Sequence, residues 1–357
     1  MSNKAKPNVG ANITRRRVLK TTLVGAAALA TPAYLRPGWA QGKRVVVVNF
    51  GGKMGDVKRK AFYDPFTQDT GIEVVTVSPP ELAKLKLMVE QGAVEWDLVD
   101  LLPAWVGAAK QMDLLQEVDD SIVDRADALP AAKDPLACGV SVSAGGIAYP
   151  TDRLQGQQPK TWPEFWDVAN HPGRRGLRTR VADTLEIALM ADGVAPADVY
   201  PCDVERAFKA LDRIKPHVSH WIDSTAQTVS LIQSNETDYT FTYTTRVKGM
   251  QESGVPMEYS FEQNLLGMVF TAVPKGAPNS DGAMRLLSYI MDPDRQVEMA
   301  NGSGDAPTYV SSIEKVDADV RKWLPDLSSD NNMVINGDWW AANAAELGPR
   351  MKEWLLT

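Results

Sequence analysis

Lys43-Arg44-Val45-Val46-Val47-Val48-Asn49-Phe50 runs directly into Gly51-Gly52. Four consecutive valines without polar alternation describe a strand buried on both faces, as in a parallel sheet covered by helices. The glycine pair ends that strand in a turn, and a helical stretch through Phe62 and Phe66 follows. A second strand is expected over 71–77, a helix over 81–91 and a third strand over 97–102. Pro103 then stands at the first turn of another helix, where its missing N–H costs nothing. Strands alternating with helices in this way specify an α/β fold with a mostly parallel sheet.

Further along, residues 139–149 are small and apolar and are broken by Gly145-Gly146, which reads as a strand crossing between two lobes, the glycines easing a bend. Thr161-Trp162-Pro163-Glu164 fits a capping box. Residues 203–214 place Val204, Ala207, Phe208, Leu211 and Ile214 on one helical stripe. A strand over 238–243 leads into a helix over 244–252. A long apolar strand over 265–273 could return the chain to the first lobe. Ser280 is expected to cap a helix to Met291, and a helix carrying Trp339, Trp340 and Trp354 ends the sequence. No internal repeat or low-complexity linker interrupts the pattern.

Thr14-Arg15-Arg16-Arg17-Val18-Leu19-Lys20 resembles the twin-arginine export signal of bacteria, with Val18 at the position usually held by Phe. An apolar stretch of ten residues follows, Thr21 to Ala30, half the roughly 20 needed to span a bilayer. With Pro32, Pro37 and Gly38-Trp39-Ala40 behind it, residues 1–40 read as a cleaved signal, leaving a mature chain from Gln41 in the periplasm. That segment takes seven basic and no acidic residues with it, so residues 41–357 hold 31 basic against 45 acidic side chains, a formal net charge of −14. So acidic a chain lacks the basic surface that nucleic-acid binding needs. Cys138 and Cys202 fall in different expected lobes and read as two buried free thiols rather than a bridge.

Enzymatic signatures are missing. Phe50-Gly51-Gly52-Lys53-Met54-Gly55 follows a strand but has neither Gly-x-Gly-x-x-Gly nor Gly-Lys-Ser/Thr, so it is no nucleotide loop. Its glycines still leave backbone N–H groups free to face a ligand at the carboxyl end of the sheet. There is no Gly-x-Ser-x-Gly elbow, and the three histidines, His171, His217 and His220, form no metal motif. Neither cofactor nor metal is expected.

Several motifs, in order, are similar to one family. Gly146-Ile147-Ala148-Tyr149-Pro150-Thr151-Asp152, Thr161-Trp162-Pro163-Glu164-Phe165-Trp166-Asp167 with His171-Pro172-Gly173-Arg174-Arg175-Gly176-Leu177-Arg178, Tyr200-Pro201-Cys202-Asp203-Val204-Glu205-Arg206-Ala207-Phe208 and Thr271-Ala272-Val273-Pro274-Lys275-Gly276-Ala277 resemble stretches of ABC-transporter solute-binding proteins of the spermidine/putrescine class. The resemblance covers essentially all of 43–357. It implies a type II periplasmic binding protein fold, two α/β lobes joined by crossing strands. The lobes would comprise 43–145 with 270–310, and 146–269 with 311–357. A small solute would be held in the cleft by hinge closure. A monomer would deliver it to an ABC permease at the inner membrane, with no nucleic-acid partner.

Polyamine binders of this class clamp amines with acids and box the methylenes with aromatics. Here the family's first acidic position becomes Arg180, the second is kept as Asp183, the inner-strand aromatic survives as Tyr243, and a Trp-x-Asp becomes Gly267-Met268-Val269. An arginine repels a diamine and pairs bidentately with a carboxylate. The ligand expected is therefore an amino-acid-like zwitterion or small carboxylate, with polyamine as the alternative; ferric iron and an exported enzyme on the same fold stand further off. Candidate ligand contacts are Phe50, Gly51, Gly52, Trp105, Ser143, Arg180, Asp183, Ser224, Tyr243 and Arg246. Arg180 or Arg246 would take a carboxylate, helped by a helix N-terminus near Ser224-Thr225. Asp183 would take an amine, while Phe50, Trp105 and Tyr243 enclose the carbon chain. The competing readings are an Arg180–Asp183 pair at i, i+3, Asp183 as a helix cap, Trp105 as a packing residue, and Arg246 on an outer face.

Overall fold

A computed structural model describes residues 44–357; the export segment expected over 1–40 lies outside the described residues. One mixed sheet of 11 strands runs through the fold. The strands are β1 (Arg44–Val48), β2 (Glu73–Val77), β3 (Leu98–Leu101), β4 (Lys133–Asp134), β5 (Ala137–Pro150), β6 (Arg175–Arg178), β7 (Val218–Ile222), β8 (Tyr239–Tyr243), β9 (Met257–Tyr259), β10 (Leu265–Ala272) and β11 (Met333–Val334). Their order is β2-β1-β3-β10-β5-β8-β6-β7. The wing β2-β1-β3 is parallel, and so is the wing β8-β6-β7. Between them lie β10 and β5, antiparallel to each other and to the wings. The two long apolar segments are thus the crossing strands, and the valine run is β1, with Val45, Val47 and Val48 fully buried.

Each wing carries its own helices. On the first side are α1 (Gly52–Lys58), which passes through a π-helical turn at Arg59–Tyr63 into α2 (Asp64–Thr70), then α3 (Leu82–Glu90) and α4 (Pro103–Gln111). On the second are α5 (Trp162–Trp166), α6 (Val181–Ala191), α7 (Val204–Ile214), α8 (Gln227–Gln233) and α9 (Thr244–Glu252). The chain then adds α10 (Ser280–Ile290), α11 (Pro293–Ser303), the short α12 (Ala318–Arg321) and the long α13 (Gly337–Leu356). One core gathers around β1, β3 and α10 and includes Val316, Val320 and Leu324. A second is built on Trp162, Phe165, Leu185, Phe208 and Leu211 and takes Trp340, Leu347 and Met351 from α13. Each large side chain so buried contributes about 1.5–3 kcal/mol.

Local chemistry sets the helix ends. The capping box at α5 is present: Glu164 N donates to Thr161 Oγ1 at 3.5 Å and Thr161 N to Glu164 Oε2 at 3.3 Å. At α10 the cap is Asn279, not Ser280. Asp97 accepts from the Asn279 N–H at 2.7 Å, which frees the Asn279 side chain to accept from Gly282 N at 3.1 Å.

The helix expected to start near Ser224-Thr225 starts at Gln227. Buried Arg178 holds the preceding loop open, donating to Ile222 O at 3.1 Å, Asp223 O at 2.7 Å and Thr225 Oγ1 at 3.2 Å. Gly145 and Gly146 serve close approach rather than bending. A Cβ at Gly145 would lie 2.5 Å from Phe241 Cζ, and one at Gly146 2.5 Å from the Tyr259 hydroxyl. Cys138 and Cys202 are both buried and unbridged. No described helix is long and apolar enough to cross a membrane.

Candidate functional site

Three of the sheet's strands meet at one cleft. The β1 carboxyl end delivers Phe50 and, through α1, Lys53, Met54 and Val57; β5 delivers Ser143; β8 and α9 deliver Tyr243, Thr245 and Arg246. The cavity measures about 1030 Å³ and is closed off further by Thr225, Val229, Met250 and Asp305. Its wall is mainly apolar with a few polar groups, the usual constitution of a small-molecule site.

The residues singled out in the sequence fall into three groups. Phe50, Ser143, Tyr243 and Arg246 line the cleft together. Trp105 and Gly51-Gly52 back it. The Trp105 ring lies 6.2 Å from that of Phe50. Gly51 and Gly52 take φ of 69° and 58°, and Gly51 N donates to Asn49 Oδ1 at 2.8 Å. Ser224 is exposed and stabilises its own loop, accepting from Ala226 N at 3.2 Å, while its neighbours Thr225 and Ala226 reach the cleft wall.

Arg180 and Asp183 pair with each other. Asp183 is 1% exposed and adopts φ 74°, ψ −45°, a conformation rarely held by any residue but glycine. That kink points its carboxylate back at Arg180, and regular helix resumes only beyond it. Arg180 also donates to the Tyr243 hydroxyl at 2.9 Å. Its guanidinium is held above its ordinary pKa chiefly by the Asp183 charge. Burial, with the Asp183 charge, pushes the Tyr243 phenol up to about 12, so it stays a neutral donor. The pair therefore fixes the cleft's tyrosine from behind. Arg246 differs: it is exposed in the cleft wall and has no ion-pair or hydrogen-bond partner among the described residues.

Two residues went unread in the sequence. Arg178, buried in β6, positions the 222–225 loop, and nothing in its motif separated it from its neighbour Arg180. Asp305, buried at the cleft, follows Gly304 beyond α11 and carries no motif at all. Among the described residues no group of three or more His, Cys, Asp or Glu side chains could hold a metal. Tyr239, four residues before Tyr243 on β8, donates to Gln158 Oε1 at 2.7 Å and lies against Arg175.

Comparison with known proteins agrees with this geometry. The profile described as bacterial extracellular solute-binding protein matches residues 61–324. A gamma-aminobutyric acid-binding protein of Pseudomonas aeruginosa is 28% identical over 339 residues, covering 90% of this chain and 94% of that one. A spermidine/putrescine-binding periplasmic protein of Haemophilus influenzae is 25% identical over 248 residues, 64% of this chain and 66% of that one. Among solved structures, a GABA receptor superposes with a TM-score of 0.80 at 32% identity, covering 87% of this chain and 97% of that one. The two-winged sheet, the cleft between its wings and the match along most of the sequence agree, and the chain belongs to the bacterial extracellular solute-binding proteins.

Proposed function

We propose that this solute-binding component of an ABC transporter captures a small amino-acid-like zwitterion, of the ω-amino-acid kind, between two lobes that close on it. The lobes are residues 44–145 with 266–324, and 146–264 with 333–357. Packing of Val316, Val320 and Leu324 in the first core supports taking 311–324 with the first lobe, although Trp323 lies against the second. Arg246 is the observation that carries the reading. A guanidinium without a protein partner, set in an apolar cleft beside a neutral tyrosine, suits a carboxylate accepting two parallel N–H bonds.

The charged residues lining the cleft, Lys53, Arg246 and Asp305, are two bases against one acid. That balance disfavours a polyamine, whose several ammonium groups would need several carboxylates. The relatives fit the same choice: the gamma-aminobutyric acid-binding protein is 28% identical over 94% of its length, against 25% over 66% for the spermidine/putrescine-binding protein.

Delivery is to a membrane permease, with export of the precursor through the twin-arginine pathway. Calorimetry on residues 41–357, refolded to remove carried ligand, tests the ligand class with 4-aminobutanoate, succinate and putrescine. Binding of 4-aminobutanoate that Arg246→Ala weakens by roughly 10–150-fold, the worth of a hydrogen bond to a charged group, is the expected result. Tight putrescine binding untouched by Arg246→Ala would overturn the reading. Separately, Arg15→Lys with Arg16→Lys should retain the precursor in the cytoplasm, and normal export of that variant would exclude the twin-arginine route.

A further inference from the structure

Gly304, at φ 83°, ends α11 in the left-handed conformation and turns the chain onto the crossing strand. Ala306 N donates to Val142 O at 2.8 Å, and Val142 N donates to Ala306 O at 2.8 Å. In that antiparallel bridge, the preceding residue Asp305 comes opposite Ser143, and both line the cleft. Asp305 is 8% exposed, and no donor among the described residues reaches either of its carboxylate oxygens. Lys58 is the cation whose charge acts on it, yet Lys58 is already ion-paired with Asp100, whose other oxygen accepts from Thr271 Oγ1 at 2.7 Å. Elsewhere in the described fold the buried carboxylates have donors: Asp97 takes backbone N–H groups, Asp238 takes Arg174, and Glu186 takes Tyr200 and Trp340.

A carboxylate largely withdrawn from water, at 8% exposure, and left without protein donors is costly to keep, and the cost is recovered when a cation with N–H groups docks against it. Burial, opposed by the charge of Lys58, pushes the Asp305 carboxyl up to about 7. Its wall adjoins the one carrying Arg246: a Cβ at Gly304 would lie 3.3 Å from Thr245 Cγ2, beside Arg246.

We infer that Asp305 is the cleft's anchor for a cationic amine, at the opposite end of the ligand from the Arg246 guanidinium. The assignment rests on the zwitterion reading only for the identity of the far end; an amine of any kind would use Asp305. It also gives Asp183 no part in amine binding, since Arg180 occupies its carboxylate.

Asp305→Asn keeps the shape and removes the charge. Calorimetry of wild type and Asp305→Asn would compare 4-aminobutanoate, butanoate and butane-1,4-diamine. Wild type is expected to prefer 4-aminobutanoate to butanoate by about 100-fold, and Asp305→Asn to weaken 4-aminobutanoate roughly 30-fold while changing butanoate less than about threefold. The free variant should melt at a higher temperature than wild type, since an unpaired buried charge is gone, which also verifies folding. Retained 4-aminobutanoate affinity in Asp305→Asn would overturn the assignment, leaving the zwitterion reading intact if Arg246→Ala still weakens binding. Should wild type bind the diamine instead and Asp305→Asn lose it, the anchor stands and the zwitterion reading falls.

Discussion

Arg180 and Arg246 show how one side-chain type serves two ends. Both were legible as cleft candidates because each replaces or follows a family position, yet sequence alone could not say which was free. The i, i+3 spacing of Arg180 and Asp183 allowed a pair, but the φ of 74° that lets Asp183 complete it is invisible in a string of residues. Arg180 thus works on Tyr243, and Arg246 is left without a protein partner among the described residues. Glu186 is a second lesson at this scale. It is fully buried in α6, accepting from the Tyr200 hydroxyl at 2.5 Å and Trp340 Nε1 at 2.6 Å through Oε1, while Oε2 has no partner. Burial, with the Asp183 charge, raises its carboxyl from 4.5 to about 7. The folded state therefore holds this proton more tightly than the unfolded chain. The stability it contributes is complete below about pH 4.5 and is lost as pH rises through about 7. Glu186→Gln keeps the accepting oxygen and never ionises. Its melting temperature should match wild type near pH 4.5 and exceed it by several degrees at pH 8, for a shift worth about 3 kcal/mol. An equal difference at both pH values would show that the carboxyl is not titrating in the fold.

Among elements, strands and helices that follow periodicity were readable, and those governed by distant contacts were not. The valine run, the two crossing strands and α7 stand where their patterns put them, because burial on both faces or on one stripe leaves its mark on composition. The start of α8 does not, since Arg178, more than 40 positions away, holds the carbonyls that would otherwise open that helix. Gly145 in β5 is similar. Its glycine was visible, but its purpose lies in Phe241 on the neighbouring strand. Gly145→Ala would force a methyl to within 2.5 Å of that ring, in a core that also holds Trp162 against Phe241. Overpacking of this kind costs about 1–3 kcal/mol. Urea denaturation should show the midpoint lowered with the slope unchanged. A double variant, Gly145→Ala with Phe241→Leu, should recover part of the loss if the ring is the obstacle.

On the scale of the whole molecule, β5 and β10 are not the only ties between the wings. Helix α4 follows the first wing's β3, whereas α13 buries Trp340, Leu347 and Met351 in the second core. The two helices meet so closely that a Cβ at Gly107 would sit 2.8 Å from Ala341 Cβ and 2.9 Å from Gly337 O, and Lys110 pairs with Asp134 at 2.8 Å and Asp338 at 3.0 Å. Packing at backbone distance resists sliding, so a hinge closing the cleft should keep α4 against α13 and turn about that contact. Gly107→Leu would then wedge apart the pivot itself, so that the lobes close less readily, without touching Phe50, Tyr243, Arg246 or Asp305. If it lowers the population of closed-competent molecules tenfold, the apparent Kd for 4-aminobutanoate should rise about tenfold. Solution scattering should show the free variant more extended than wild type and contracting less when saturated. Unchanged affinity together with an unchanged radius of gyration would mean that α4 and α13 part during closure and that the pivot lies in the crossing strands alone.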